Sequence, residues 1–219
     1  MSNTPRGRFI TLEGGEGTGK STLQTALRDR LTEQGIDVVL TREPGGTPRA
    51  EAIRALVLNP PGGTSFSPLA EALLMNAARS EHLEGLIRPA LAAGQWVICD
   101  RFSDSTRVYQ GISGGVAENV LLSLEAHVVG QTRPDLTLVL DAPATVTMHR
   151  RAQRNLAPDV FESRGPEFHQ AVRLAFAELA RREPGRCKLV DASRSAEDVA
   201  DAAWRHVAAL LAAPVGAGS

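Results

Sequence analysis

The chain has 219 residues, 42% of them hydrophobic, which is enough to bury one substantial core, so we expect a single domain. Its 24 basic and 25 acidic residues give a formal charge of −1, which argues against the strongly basic surface that binding to DNA or RNA would need. No stretch approaches the roughly 18 uncharged apolar residues of a membrane span, so we expect no membrane partner.

Strand-like and helix-like segments alternate along the chain. Five short β-branched runs are predicted to be strands buried on both faces: 8–12, 38–41, 96–99, 136–140 and 188–190. Apolar residues at three- and four-residue spacing predict helices over 20–33, 48–58, 68–93, 116–130, 144–154, 167–182 and 196–212. The alternation predicts an α/β fold, a three-layer sandwich whose five-stranded, mainly parallel sheet carries helices on both faces. We expect residues 1–212 to form the domain and 213–219 to be a disordered tail.

The two cysteines lie in or beside the apolar runs. Cys99 and Cys187 are far apart and have no metal-ligand spacing. We interpret them as reduced, buried thiols of a cytoplasmic protein.

The stretch EGGEGTGKST, residues 13–22, contains the pattern G-x-x-x-x-G-K-[ST]. It follows a predicted strand and opens a predicted helix, which is the context of a phosphate-binding loop of the P-loop NTPase type. The glycines let backbone N–H groups surround an anion, Lys20 would reach the β and γ phosphates, and the Ser21 hydroxyl would ligate Mg²⁺. The residues assigned to nucleotide binding are Gly14, Gly15, Glu16, Gly17, Thr18, Gly19, Lys20 and Ser21, called here the phosphate loop.

One member of the phosphate loop is unusual. Glu16 is a carboxylate in a loop built to attract anions, where it would repel the phosphates beside it. We expect it either to point into solvent or to find a cationic or hydroxyl partner across the cleft.

Among phosphate-loop proteins, the sequence favours a small-molecule kinase. A GTPase needs a guanine-reading segment with a lysine, yet the only lysine outside the loop is Lys188, in CKLVD, and 219 residues leave little room for the coupling domain of a motor. Arg42 and Arg101 end predicted strands, where open parallel sheets place ligands, and Arg79 lies in a predicted helix. Their planar guanidinium groups suit phosphate oxygens, so we expect an acceptor that is itself phosphorylated.

The stretches FITLEGGEGTGKST, TREPGGT, NAAR, WVICDRF, DSTRVYQG, RPDLTLVLD and HRRAQR together resemble the thymidylate kinase family, from Phe9 to about Leu211. The resemblance is to the bacterial type, in which a mobile lid supplies an arginine. It implies transfer of the γ-phosphoryl group of ATP to the 5′-phosphate of dTMP, with Mg²⁺, and suggests a homodimer. Two alternatives stay open: a kinase for another deoxynucleotide or a nucleoside, and a nucleotide-binding switch without transfer.

The resemblance also implies roles for individual residues. Asp100 and Arg101 would organise the Mg²⁺ water shell and grip the acceptor phosphate, which Arg42 would also hold. Arg79 would bond the thymine edge, and Glu16 would reach the 3′-hydroxyl of the sugar. Further contacts to the base and deoxyribose would come from Met75, Thr106, Tyr109 and Gln110. Met75 departs from the family, which usually has an aromatic residue there, because a thioether cannot stack as a ring does.

The lid is expected at about residues 150–165. Arg154 would point at the transferred phosphoryl group, and Arg150 would lie nearer the base and phosphates of ATP, with Arg151 as a further candidate. The lid run at 159–162, Asp-Val-Phe-Glu, lacks the arginine that the family commonly has. The family's turn also suggests that the peptide bond before Pro44 is cis.

Overall fold

The computed structural model describes residues 5–112, 114–152, 161 and 164–212. The strands are β1 (Phe9–Glu13), β2 (Val38–Arg42), β3 (Trp96–Asp100), β4 (Leu136–Asp141) and β5 (Cys187–Asp191). The α-helices are α1 (Lys20–Glu33), α2 (Pro48–Leu58), α3 (Pro68–His82), α4 (Arg88–Ala92), α5 (Ser103–Thr106), α6 (Glu118–Val128), α7 (Ala144–Ala152), α8 (Pro166–Arg182) and α9 (Ala196–Ala212). A 3₁₀ turn, Pro61–Gly63, and two π-helical segments, Leu83–Ile87 and Arg107–Ile112, complete the helical elements of this part of the chain.

All five strands are parallel, in the order β2-β3-β1-β4-β5. Helices α1 and α9 pack on one face of the sheet, against Ile10, Leu12 and Leu138 among others. The other face is covered by α4 and the π-helical segment before it, and by α8. The predicted three-layer α/β fold is therefore confirmed. Burial on both faces explains why the strands were recognisable as continuous apolar runs.

The chain departs from the predicted helices in two places. The expected helix over 68–93 is interrupted, because α3 passes into the π-helical segment Leu83–Ile87 before α4 begins. Helix α5 and the π-helical segment Arg107–Ile112 were not predicted, since four residues followed by a π-helical segment show no helical periodicity.

A bilayer-spanning helix, which needs both length and apolar composition, does not occur in the part of the chain that the structure describes. The expected tail, 213–219, lies outside the described residues.

Three charged side chains lie together where the strands end, at the carboxyl edge of the sheet. Parallel strands end together, so the last residues of β1, β2 and β3 are neighbours: Arg42 is in register with Asp100, and Leu12, which precedes Glu13, is also in register with Asp100. The phosphate loop follows β1 at the same edge and leads into α1. The carboxyl edge of the sheet is thus where phosphate-binding and charged groups meet.

Candidate active site

A cleft opens at the carboxyl ends of β1, β2 and β3. Its lining includes the following predicted site residues: Glu16, Gly17, Gly19, Lys20, Ser21, Arg42, Met75, Arg79, Asp100, Arg101, Thr106, Tyr109 and Gln110. We call it the acceptor cleft. Gly15 and Thr18 line a smaller neighbouring cavity between the phosphate loop, α7 and α8. One predicted residue, Arg154, lies outside the described residues, as do 153–160, 162 and 163 of the expected lid.

The phosphate loop has a backbone that only glycine accommodates well. Gly14, Gly17 and Gly19 have φ angles of 129°, 77° and 95°. A Cβ on Gly14 would lie 2.4 Å from the carbonyl oxygen of Leu140, and one on Gly17 would lie 2.7 Å from that of Thr147. Positive φ and the close approach of neighbouring backbone therefore both require glycine here.

Lys20 is held inside the loop. Only 7% of its surface is exposed. Its Nζ donates hydrogen bonds to the carbonyl oxygens of Gly14 at 3.1 Å and Gly15 at 3.0 Å. Burial, together with the neighbouring Arg101, lowers the pKa of this ammonium below its ordinary value, and nearby carboxylates, Asp100 among them, only partly oppose the shift. Burial at the floor of the loop therefore disfavours the charged form of Lys20 more than its acidic partners favour it.

Ser21 and Asp100 form an oxygen-rich corner beside Lys20. The Ser21 hydroxyl donates to Oδ2 of Asp100 at 3.3 Å. Oδ1 of Asp100 is buried and accepts no hydrogen bond from the described residues. A hydroxyl and a carboxylate with a free lone pair are the hard oxygen donors that Mg²⁺ prefers, and two protein ligands suit an ion that keeps several waters. The corner therefore fits the metal that the sequence predicts.

Glu16 turns away from solvent and pairs with Arg101. Nη2 of Arg101 donates to Oε1 of Glu16 at 2.6 Å, and the Tyr109 hydroxyl donates to the same oxygen at 3.3 Å. Burial opposes ionisation of Glu16, but Arg101 and Lys20 outweigh it and lower its pKa to about 2. The expected cationic and hydroxyl partners are both present within the protein.

Arg42 and Arg79 both face the acceptor cleft, with different freedom. Arg42 is half-exposed, and its Nη2 donates to Oε1 of Glu51 in α2 at 2.9 Å. Arg79 is 2% exposed and stacks over the ring of Phe102, with 5.2 Å between the guanidinium carbon and the ring centroid. Its donors bond Glu43 Oε2 at 2.8 Å, Asn76 Oδ1 at 3.2 Å and Thr106 Oγ1 at 3.0 Å. A buried cation needs such partners, so Arg79 is rigid while Arg42 can adapt.

A buried network behind Arg79 was missed by sequence reasoning. Glu43 is nearly buried, and the peptide bond between it and Pro44 is cis, as expected. His82 contacts Oε1 of Glu43 through Nδ1 at 3.1 Å and the Thr41 hydroxyl through Nε2 at 2.7 Å. His82, the last residue of α3, is fully buried. Both partners lie at the end of β2, far from His82 in the sequence, and no local sequence pattern indicates them.

The arginines of α7 bond to protein groups. Nη1 of Arg150 donates to the carbonyl oxygen of Ala192 at 2.8 Å, and Nη2 donates to that of Arg194 at 3.1 Å. Arg150 therefore ties α7 to the connection between β5 and α9, beside the phosphate loop. Nη1 of Arg151 lies 3.1 Å from Nε2 of His169 in α8.

Aromatic side chains near the expected lid close one side of the cleft. Phe161 lines the cleft and packs edge-on against Tyr109, with ring centroids 5.7 Å apart. The guanidinium of Arg164 stacks over Phe161 at 5.1 Å and over Phe168 at 4.6 Å. The resemblance did not indicate these contacts, and Phe161 belongs to the run at 159–162 that departs from the family.

Comparison with known proteins points to one family. The sequence model described as "Thymidylate kinase" matches residues 12–203. A thymidylate kinase of Bradyrhizobium sp. (strain ORS 278) is 50% identical over 216 residues, covering 98% of this chain and 95% of the relative. A thymidylate kinase of Caulobacter vibrioides is 51% identical over 194 residues, covering 89% and 92% respectively. The crystal structure of thymidylate kinase from Ehrlichia chaffeensis matches with a TM-score of 0.73 at 32% identity, covering 93% of this chain and 99% of that one.

Proposed function

The chain belongs to the thymidylate kinase family, and on that basis we propose that it transfers the γ-phosphoryl group of ATP to the 5′-phosphate of dTMP, giving dTDP and ADP. The observation that carries the proposal is one cleft in which a phosphate loop faces two strand-end arginines, Arg42 and Arg101. A loop for the donor and separate cations for the acceptor are what a nucleoside monophosphate kinase needs.

On the donor side, the phosphate loop would bind the β and γ phosphates of ATP. Its glycines allow backbone N–H groups to converge on an anion, and the N-terminus of α1 adds positive potential. Lys20 lies at the floor of this loop and would neutralise negative charge on the transferred γ-phosphoryl group. Arg150, held beside the loop by backbone carbonyls, would border the nucleotide.

On the acceptor side, Arg42 and Arg101 would hold the 5′-phosphate of dTMP. Arg42 has a half-exposed side chain whose bond to Glu51 can be exchanged for a phosphate. Arg79, Met75, Thr106, Tyr109 and Gln110 line the part of the cleft that would take the base and sugar. Glu16, beside Tyr109, would accept a hydrogen bond from the 3′-hydroxyl.

The corner formed by Ser21 and Asp100 would hold Mg²⁺. When bound, the ion neutralises phosphate charge and helps to align the donor. The residues of this chain then have two tasks: to keep two anions in line and to surround the transferred group with positive charge. No general base is required, because the attacking phosphate oxygen is already ionised at neutral pH. Arg154 is proposed as the lid arginine that reaches the transferred group.

Two further expectations belong to this proposal. The family resemblance suggests a homodimer, and the reduced, buried state expected of Cys99 and Cys187 suggests the cytoplasm. Size-exclusion chromatography with light scattering would measure the first, and a mass of about twice the 23.3 kDa chain would support it.

The test is ADP formation from ATP and Mg²⁺ with dTMP, dUMP, dCMP, dAMP or dGMP as the acceptor. We expect dTMP to be the best acceptor, with dUMP weaker by about 5- to 150-fold, since one methyl group contributes about 1–3 kcal/mol. A better rate with dCMP, dAMP or dGMP would favour the alternative of another deoxynucleotide kinase. Tight ATP binding without acceptor-dependent ADP would favour a switch and end the proposal.

A further inference from the structure

Arg101 has a backbone conformation that is unfavourable for its residue type. Its φ angle is 69°, and no other non-glycine residue in the described part of the chain has a positive φ. A side chain with a Cβ is strained in this left-handed region. The conformation persists only if surrounding groups hold it, and such strain occurs where a side chain has to be aimed.

The groups on both sides of Arg101 are hydrogen bonded. Its N–H donates to the carbonyl oxygen of Leu12 at 2.9 Å, and its own carbonyl accepts from the Cys99 thiol at 3.0 Å. The next N–H, that of Phe102, donates to Oε1 of Glu13 at 2.8 Å. The carboxylate at the end of β1 therefore fixes the chain directly after the strained residue.

The second oxygen of Glu13 is linked to the side chain of Arg101 through the Ser105 hydroxyl. The Ser105 hydroxyl donates to Oε2 of Glu13 at 2.6 Å, and Nη1 of Arg101 donates to that hydroxyl at 3.1 Å. Arginine has no acceptor, so the hydroxyl hydrogen must point to Glu13 and its lone pair to Arg101. The carboxylate thereby leaves the Ser105 lone pair free to accept the hydrogen bond that the guanidinium donates.

We propose that Glu13 is a positioning residue for the transfer reaction, which holds Arg101 in the orientation that receives the acceptor phosphate. It acts through the Phe102 N–H and the Ser105 hydroxyl. Glu13 is fully buried and is not among the residues that line the cleft, so its influence on substrate passes through Arg101. The inference rests on the proposed function, in which Arg101 binds the 5′-phosphate.

The arrangement needs a carboxylate of this length. A glutamine at residue 13 would keep an acceptor oxygen for the Phe102 N–H. Its NH₂ group would then face the Ser105 hydroxyl as a donor, although Arg101 already donates to that hydroxyl. The hydroxyl hydrogen would then lose its acceptor, and the contact to Arg101 would have to rearrange. Burial and the nearby Asp104 raise the pKa of Glu13 to about 7, although Arg101 opposes the shift, so burial disfavours the charged form that accepts these hydrogen bonds.

The experiment compares four variants with the wild type by steady-state kinetics and thermal unfolding. Glu13→Gln and Ser105→Ala should each lower kcat by about tenfold or more, with KM for ATP within about twofold. Ser105→Thr, which keeps the hydroxyl, should return kcat to within about threefold of the wild type. Asp135→Asn is the control, because Asp135 accepts from the Phe9 N–H at the other end of β1. It should lower the unfolding temperature while kcat stays within about twofold.

The proposal and the proposed function fail in different ways. A wild type that forms no dTMP-dependent ADP overturns the function. A Ser105→Ala variant with wild-type kcat overturns the positioning role, even if Glu13→Gln does not fold. A crystal structure of either variant adds a readout independent of activity: a displaced Arg101 guanidinium supports the role, and an unchanged one contradicts it.

Discussion

Arg101 and Glu16 form a short ion pair across the acceptor cleft, with 2.6 Å between Nη2 and Oε1. One residue follows the end of β3 and the other belongs to the phosphate loop, so the pair joins the proposed acceptor side of the cleft to the proposed donor side. Glu16 also accepts from the Tyr109 hydroxyl. The carboxylate therefore restrains two side chains that are proposed to meet dTMP.

Replacing Glu16 by glutamine keeps the shape and removes the charge. A charge-assisted hydrogen bond is roughly twice as strong as a neutral one, so we expect kcat/KM for dTMP to fall by about tenfold. The loss should be smaller for a 3′-deoxy analogue of dTMP, which has no hydroxyl for Glu16 to bind. Glu178→Gln is the control, since Glu178 pairs with Arg181 and Arg182 on α8 outside the cleft. Equal losses in the two variants would contradict the assignment.

Lys20→Ala tests the donor side. We expect kcat to fall by at least about a hundredfold with the fold retained, because Lys20 supplies positive charge in a site shielded from water. The chain offers a matched control in its other lysine, Lys188, which lies at the edge strand β5 and bonds the Pro184 carbonyl. Lys188→Ala should leave kcat unchanged within error. Steady-state kinetics and circular dichroism would check both, and a Lys20→Ala variant with full turnover would remove Lys20 from the site.

Gly17→Ala tests the shape of the phosphate loop. The added Cβ would lie 2.7 Å from the Thr147 carbonyl oxygen at a φ of 77°. We expect the free energy of unfolding to fall by about 1–3 kcal/mol. At Gly15 a Cβ meets nothing within 4 Å, so Gly15→Ala should change that free energy by less than about 1 kcal/mol. Urea denaturation measures both, and equal stabilities would show that the loop tolerates a side chain at residue 17.

The raised pKa of Glu13 predicts a pH-dependent stability. Burial and Asp104 raise this pKa from an ordinary 4.5 to about 7, and Arg101 opposes the shift. The folded protein therefore binds the proton more tightly than the unfolded chain, and this contribution is complete below about pH 4.5 and lost as the pH rises through about 7. It amounts to about 3 kcal/mol.

The measurement is the free energy of unfolding of the wild type minus that of Glu13→Gln, followed from about pH 4 to pH 8. The subtraction removes the contributions of other groups, including Lys20 and Glu16, as far as the substitution leaves them unchanged. We expect the difference to decline as the pH rises, because only the wild type carries the acid. A difference that is flat across this range would contradict the assignment.

Much of the architecture could be predicted because the strands are buried on both faces. Residues 9–13 are all buried, so Phe9, Ile10 and Leu12 give β1 a largely apolar start on both faces. The phosphate loop was predictable for a different reason: positive φ and close backbone contact leave glycine as the only residue that fits at Gly14 and Gly17. The placement of Arg42 and Arg101 at the cleft could be predicted because parallel strands bring their carboxyl ends together, where open sheets bind ligands.

The contacts that hold these residues were not predictable. The sequence shows Glu13 only as the residue before the phosphate loop. Its carboxylate accepts hydrogen bonds from the Phe102 N–H and the Ser105 hydroxyl, which lie 89 and 92 residues further along the chain. His82 reaches Thr41 and Glu43 in the same way, through the fold rather than the sequence. The interruption of the predicted helix at Leu83–Ile87 contains Gly85 and precedes Pro89, whose missing N–H removes a helical hydrogen bond.

The strand order has a consequence for how the chain is made. β1 lies at the centre of the sheet, where Ile10 is in register with Ile98 on one side and with Leu136 on the other. A ribosome releases the N-terminal strand first, but its two neighbours emerge only after about 90 and 130 further residues have been synthesised. Until then this apolar segment has no neighbouring strand to pair with, so we expect the nascent chain to be open to association with other chains for most of its synthesis.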